Sequence, residues 1–168
     1  MSEAISIRVA DLGDKQAVTD LLMACYPTLM REGYEQDVFE ASLPGMTKAN
    51  PVLLNSGTFF VAVINDDTVV GCGGWTEEEP GTTNKVEKLG HIRHFAVHPD
   101  WNGQSVGRSL YQACQTSATA QGIAEFQCYS SLGAEDFYEA LGFSSRGVIE
   151  VPMAGGVMLP VVLMHRNL

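Results

Sequence analysis

The chain has 168 residues, of which 45% are hydrophobic and 18% charged. That is a globular composition, long enough for one domain burying roughly two-thirds of its unfolded surface. Twenty Asp and Glu against ten Lys and Arg leave a formal charge of −10, which argues against nucleic acid or an anionic membrane as the main partner, because phosphate contacts need clustered positive charge. The same imbalance favours cationic small molecules. Cys25, Cys72, Cys114 and Cys128 show no CxxC spacing and read as free thiols of a reducing compartment. There is no basic-then-apolar leader, and the longest apolar run, Phe59 to Ile64, is far short of the ~20 residues of a membrane span. A soluble, cytoplasmic protein is expected.

Ile5 to Val9 alternates apolar and polar residues, as a half-buried strand does. Asp14 is placed to cap the next helix, where Val18, Leu21, Leu22 and Cys25 fall at i, i+3, i+4 and i+7 on one stripe. A second helix is expected from Arg31 to Ser42, stopped by Pro44-Gly45, with Tyr34, Val38, Phe39 and Leu43 inward. Thr58 to Ile64 and Thr68 to Trp75 read as strands joined through Asn65-Asp66-Asp67, a hairpin signal. Glu77 to Asn84 reads as an exposed loop, and Lys85 to Val97 as a long strand closed by His98-Pro99-Asp100. A helix follows from Gly107 to about Ala120, with Leu110, Ala113, Cys114 and Ser117 on one face and Gly122 ending it. Glu125 to Ser130 is a further strand and Ala134 to Leu141 a short helix stopped by Gly142. Val148 to Val151 and Leu159 to Met164 are the last strands, around Ala154-Gly155-Gly156. The order β-α-α-β-β-β-α-β-α-β-β predicts one α+β domain over residues 1–168, a mixed, mostly antiparallel sheet with helices on both faces. A strand–helix–parallel-strand unit leaves the ligand site at the carboxyl ends of those strands.

The most informative stretch is His91 to Tyr111, HIRHFAVHPDWNGQSVGRSLY. A helix N-terminus leaves N–H groups unpaired and carries roughly half a positive charge. Gly103 and Gly107 let an anion approach that backbone, and Arg108 adds a charge in the first turn. The arrangement suits a pyrophosphate; the bland alternative is a turn whose glycines only relieve strain. Neither the dinucleotide-fold G-x-G-x-x-G nor the P-loop G-x-x-x-x-G-K-[ST] occurs. Strand alternation puts His91, Arg93, Phe95 and Val97 on one face and Ile92, His94 and Ala96 on the other. His91 and His94 then point apart, so His91, His94 and His98 make no metal set and no metal is expected.

The element order, the VHPDWNGQSVGRSL loop and the segment from Phe137 to Phe143 (FYEALGF) resemble the GNAT superfamily of acyl-CoA-dependent N-acetyltransferases over nearly the whole chain. The resemblance implies the GNAT fold, with a central sheet of about six or seven strands, and acetyl-CoA as co-substrate. It implies that Phe95, Ala96 and Val97 run along the pantetheine arm, and that Asn102, Gly103, Gln104, Ser105, Val106, Gly107 and Arg108 hold the diphosphate. The family's loop usually reads Arg/Gln-x-x-Gly-x-Gly/Ala, so Asn102 and Ser105 depart from it while Gly107 keeps to it. The Val97 amide is then the donor to the thioester carbonyl. Tyr138 is the general acid for the leaving thiolate, against the alternative that it only packs the short helix on the sheet. Ser131 stands where the family often has an Asn near CoA.

His91, six residues before Val97, stands where some members carry a glutamate base. An imidazole with a pKa near 6.5 suits deprotonation of an ammonium; the alternative is a strand histidine without a role. Other branches take the base from the strand equivalent to Glu125–Ser130, where Phe126 and Cys128 are expected to face the site. Glu77, Glu78 and Glu79 read as a solvated loop rather than a base or a lip for a cationic substrate. The expected function is transfer of an acetyl group from acetyl-CoA to a primary amine of a small molecule or peptide by direct attack. The alternative is a non-catalytic acyl-CoA-binding or sensing module of the same fold, which the departures at Asn102 and Ser105 favour. Acceptor specificity is expected in Tyr26–Asn55 and Trp75–Lys88, and the Val148–Met164 hairpin is a candidate edge for a homodimer.

Overall fold

The computed structural model describes residues 4–31, 33–65, 67–103, 105–153 and 156–168. Its strands are β1 (Ser6–Val9), β2 (Phe59–Val63), β3 (Val69–Thr76), β4 (Leu89–Val97), β5 (Glu125–Ser130), β6 (Ser144–Pro152) and β7 (Met158–Asn167). They form one seven-stranded sheet in the order β1-β2-β3-β4-β5-β7-β6. Every neighbouring pair is antiparallel except β4 and β5. Two parallel strands need a crossover, and α4 (Val106–Ala120) supplies it.

Helices cover both faces. On one, α4 and the short α5 (Glu135–Ala140) lay Val106, Leu110, Tyr111 and Tyr138 over Phe60, Trp75, Ile92, Phe95 and Phe126. On the other, α1 (Lys15–Arg31), α2 (Gln36–Met46) and the one-turn α3 (Pro51–Leu54) pack Leu22, Cys25, Tyr26, Phe39 and Leu54 over Phe59, Val61, Cys72 and Ala96. Covered on both sides, β2 is buried at all five positions and shows no polar face. The glycines of β3 let α4 close on the sheet: a Cβ on Gly71 would lie 2.8 Å from Val106 Cγ1, and one on Gly73 would overlap the Phe95 ring.

Several local expectations change. Asp14 does not cap α1: Asp11 caps a 3₁₀ turn at Leu12–Asp14, and Asp14 closes the box onto the Asp11 N–H. Asp14 also pairs with Arg8 at 2.8 Å, and that hydrogen bond holds its carboxyl below the usual carboxylate range. α2 runs from Gln36, not Arg31, and continues through Pro44 to Met46, where Thr47 donates twice to the Leu43 carbonyl. α3 was not expected, although Asn50 before Pro51 is a start signal, and Asn50 Oδ1 accepts from the Val52 N–H. β4 starts at Leu89 because Lys85 turns back to bridge Glu78 across the loop. β6 and β7 are longer than their apolar cores, and Ala154 and Gly155 of the expected turn lie outside the described residues. All four cysteines are free and buried. Among the described residues, no helix is long and apolar enough to cross a membrane.

Candidate functional site

β4 pairs with β3 from His91 to Val97 but with β5 only from Leu89 to His91, opposite Glu125 to Gln127. Both strands then run on, to Val97 and to Ser130, without pairing, and a wedge opens between them. Within it the β3–β4 register slips: Cys72 opposes Ala96 but Gly74 opposes Arg93, so β4 uses three residues where β3 uses two. His94, with φ of 51°, lies at this β-bulge.

The bulge overturns the expected alternation. Ile92, Phe95 and Val97 pack together on the α4 side, so His91 and Arg93 turn with Ala96 to the α1 side. His94 joins them, lodged among Val18, Leu22, Leu53, Leu54 and Phe59. Burial there, with the Arg93 charge adding to it, lowers the His94 imidazole to about 4.

Backbone groups of β4 face the wedge. His98 donates to the Val70 carbonyl at 2.8 Å, so the next pair, Gly71 and Val97, is the non-hydrogen-bonded kind. The Val97 N–H and C=O therefore point away from β3. Side chains of α1 take two carbonyls at this edge: Cys25 Sγ donates to Val97 O at 3.2 Å and Tyr26 OH to Phe95 O at 3.3 Å. The Val97 N–H is left facing the space that β5 has vacated.

At the end of β4 a 3₁₀ turn, Pro99–Trp101, leads through Asn102 and Gly103 to Ser105 and the start of α4. Gln104 lies outside the described residues. Gly103 has φ of 78° and Ser105 has φ of 64°, so Ser105 occupies a left-handed conformation that costs a side-chain residue about 1–2 kcal/mol. A glycine at that position is explained by this geometry. Ser105 makes no side-chain cap, so its hydroxyl takes none of the first N–H groups of α4. Gly107 serves packing instead: its Cβ would lie 2.6 Å from the Phe137 ring. A side chain there would strike α5 before it could crowd an anion.

Tyr138 hangs from α5 with 8% exposure, its ring edge-on to Phe137 at 5.1 Å and to Phe143 at 5.8 Å. Its hydroxyl lies beside the Cys128 thiol, on the part of β5 that has left β4. Burial first, then the neighbouring Cys128, push the phenol well above the usual tyrosine range, so it stays protonated at neutral pH. The same burial raises the Cys128 thiol to about 12. The Ser131 hydroxyl, at the end of β5, is shielded and without a hydrogen-bond partner among the described residues.

The α1 side of the wedge carries a polar cluster. His91, 4% exposed, stands in register between Thr76 and Gln127. Burial and the Arg93 charge hold its imidazole below the usual range, against the pull of Glu79 and Glu78. Glu79 is not simply solvated: Tyr129 OH donates to it at 3.0 Å, and burial with this carboxylate raises the phenol to about 12. Phe126, expected to face the site, is buried against Trp75 and Tyr111 under α4. Gln127 and Tyr129 turn to the cluster instead, and strand alternation from Phe126 was the signal for them. An open depression of about 660 Å³ beside α3 shares Thr76 and Glu78 with this cluster.

A sheet split at its one parallel pair, with a bulge on one side of the split and a helix N-terminus at its mouth, defines a class of fold before any comparison is made. Residues 55–145, more than half of the chain, match the family model for the acetyltransferase (GNAT) domain, and the chain belongs to that family. Solved structures agree on the fold. A GCN5-related N-acetyltransferase from Rhodopseudomonas palustris superposes with a TM-score of 0.78 at 22% identity, over 100% of this chain and 99% of that one. The PaiA N-acetyltransferase from Thermoplasma acidophilum, in complex with coenzyme A, gives 0.68 at 13% identity, over 98% and 99%. A mosquito arylalkylamine N-acetyltransferase-like protein gives 0.65 at 18%, over 98% and 100%. Comparison with curated proteins yields no match.

Proposed function

We propose that this GNAT protein transfers an acetyl group from acetyl-CoA to a primary amine by direct attack. The observation that carries the reading is the wedge, with the Val97 N–H on one side, the Tyr138 hydroxyl near the other, and the N-terminus of α4 at its mouth. An extended pantetheine arm has the shape to lie along the open edge of β4 at Phe95, Ala96 and Val97, as an added strand does. The first N–H groups of α4 and the charge of Arg108 then meet the diphosphate, with Asn102, Gly103, Ser105, Val106 and Gly107 around it. Ser131, with its unpaired hydroxyl, is a further donor to the cofactor.

As the amine nitrogen bonds to the thioester carbon, charge builds on the oxygen and the Val97 N–H stabilises it. The carbon–sulfur bond breaks, and Tyr138 gives its proton to the departing thiolate. His91, neutral at pH 7, takes the proton from the attacking nitrogen, directly or through water. Confining both reactants in one wedge supplies further rate enhancement by removing translational freedom from the step. The test is thiol release from acetyl-CoA across a panel of amines, with mass spectrometry for the gain of one acetyl group. Product that tracks thiol release supports the reading. A protein that acetyl-CoA stabilises against heat, with thiol release at the hydrolysis background throughout, would be a binding module instead.

A further inference from the structure

The α1 side of the wedge carries a cation that acetyl transfer itself does not require. Arg93 stands on β4 between His91 and the bulge, half-buried. A guanidinium is permanently charged and has five N–H donors. Among the described residues Arg93 uses one of its terminal nitrogens, Nη1, which donates to Thr76 Oγ1 at 3.1 Å, and it forms no ion pair. The nearby carboxylates are committed elsewhere: Glu78 to Lys85 at 3.4 Å, and Glu79 to the Tyr129 hydroxyl at 3.0 Å. Glu78 biases Arg93 only through its charge, against the burial that disfavours the guanidinium. The other guanidinium nitrogens of Arg93 are left to water, and a carboxylate seated on them replaces that water with charge-assisted hydrogen bonds.

We infer that Arg93 receives a carboxylate of the acceptor, so that the acetylated amine belongs to a small amino acid and not to a polycation. The inference rests on the acetyl-transfer reading above and names its substrate class. Residues two apart on one strand face are about 6.5 Å apart along it. An amine one or a few bonds from a carboxylate on Arg93 is thus within reach of His91 on one side and of the wedge on the other. The charge of −10 over the whole chain favours cations at long range, but the groups lining the acceptor face decide which molecule stays.

The test uses matched pairs, each an amino acid and the amine left when its carboxylate is removed, such as phenylalanine with phenethylamine and leucine with isoamylamine. In the natural protein the amino acid is expected to lead in kcat/KM by ~10-fold or more, through KM, as charge-assisted hydrogen bonds imply. Arg93→Met should lower the ratio of the two kcat/KM values ~10- to 100-fold, and Arg93→Lys should restore part of it. Calorimetry of the amino acids against protein saturated with CoA should give heat in the natural protein and none in Arg93→Met. Because the ratio is internal to each protein, a variant that is merely damaged loses both activities and leaves it unmoved; that result overturns the inference, as does a natural preference for the bare amines. Turnover of amines without carboxylate preference leaves acetyl transfer standing and removes Arg93 from specificity. Heat that depends on Arg93 without thiol release supports the carboxylate site and removes the catalytic reading; neither heat nor turnover removes both. If Arg93→Met does not fold, judged by the thermal shift with CoA, Arg93→Lys and Arg93→Gln carry the same comparison.

Discussion

The two halves of β4 behave differently although one strand holds both. Leu89 to His91 pair with β5, and at His91 the strand is flanked by β3 and β5 together. Arg93 to Val97 keep β3 alone, and this half holds the bulge, the left-handed His94 and the outward-facing amide. Backbone groups that lose a neighbouring strand need other partners. At Phe95 and Val97 the carbonyls find Tyr26 and Cys25, while the Val97 N–H faces the wedge. The loss of one strand neighbour thus creates the open edge on which the proposed cofactor site rests, and the other half anchors it to β5.

That contrast can be broken most severely at Val97. Proline there removes the amide facing the wedge, yet no ladder bond to β3 is lost, since Val97 and Gly71 are a non-hydrogen-bonded pair. The rate should fall ~100- to 1000-fold, with the thermal shift by CoA retained; an unchanged rate takes the oxyanion role from Val97. On the other side of the wedge, Tyr138→Phe keeps the ring contacts with Phe137 and Phe143 and removes only the hydroxyl. Turnover should drop ~10-fold or more with CoA affinity little changed, and equal rates across pH would leave Tyr138 a packing residue.

His91 belongs to the paired half and tests whether that half only supports the site. Its imidazole is held below the ordinary value near 6.5, so it is an unprotonated base at pH 7 and loses that role as pH falls through the lowered value. The kcat profile should therefore show an acid limb below about pH 6.5. His91→Gln should abolish the limb and slow the reaction ~10-fold or more; a limb that persists assigns it to another group. The smallest effect on chemistry, and a clear one on folding, is expected at Gly107. Adding a methyl beside Phe137 overpacks the α4–α5 contact, and Gly107→Ala should cost about 1–3 kcal/mol, read as a lower melting temperature of the ligand-free protein.

Much of the fold was legible in the chain. The hydrophobic periods of α1 and α4, the hairpin of β2 and β3, and the strand–loop–helix run through Gly103 and Gly107 are local patterns, and each element formed close to its expected place. The α4 N-terminus was legible for the same reason, whereas Tyr138 was singled out only by the resemblance of the FYEALGF segment to the family. Asn50-Pro51 was legible too, as the start of α3, and was passed over. The faces of β4 were not. Alternation assumes one residue per step, and the extra residue at the bulge shows only against the register of β3, which lies some twenty residues earlier in the chain.

Local sequence therefore determined which segments are helix or strand and where the N-terminus of α4 follows the strand, because capping, periodicity and turn chemistry act over a few residues. Tertiary structure alone decided that β4 and β5 separate after His91 and Gln127, that His91 and Arg93 turn away from Phe95 and Val97, and that Gly107 makes room for Phe137. Those outcomes depend on pairing and packing between distant segments, where one residue of register reverses every side chain beyond it.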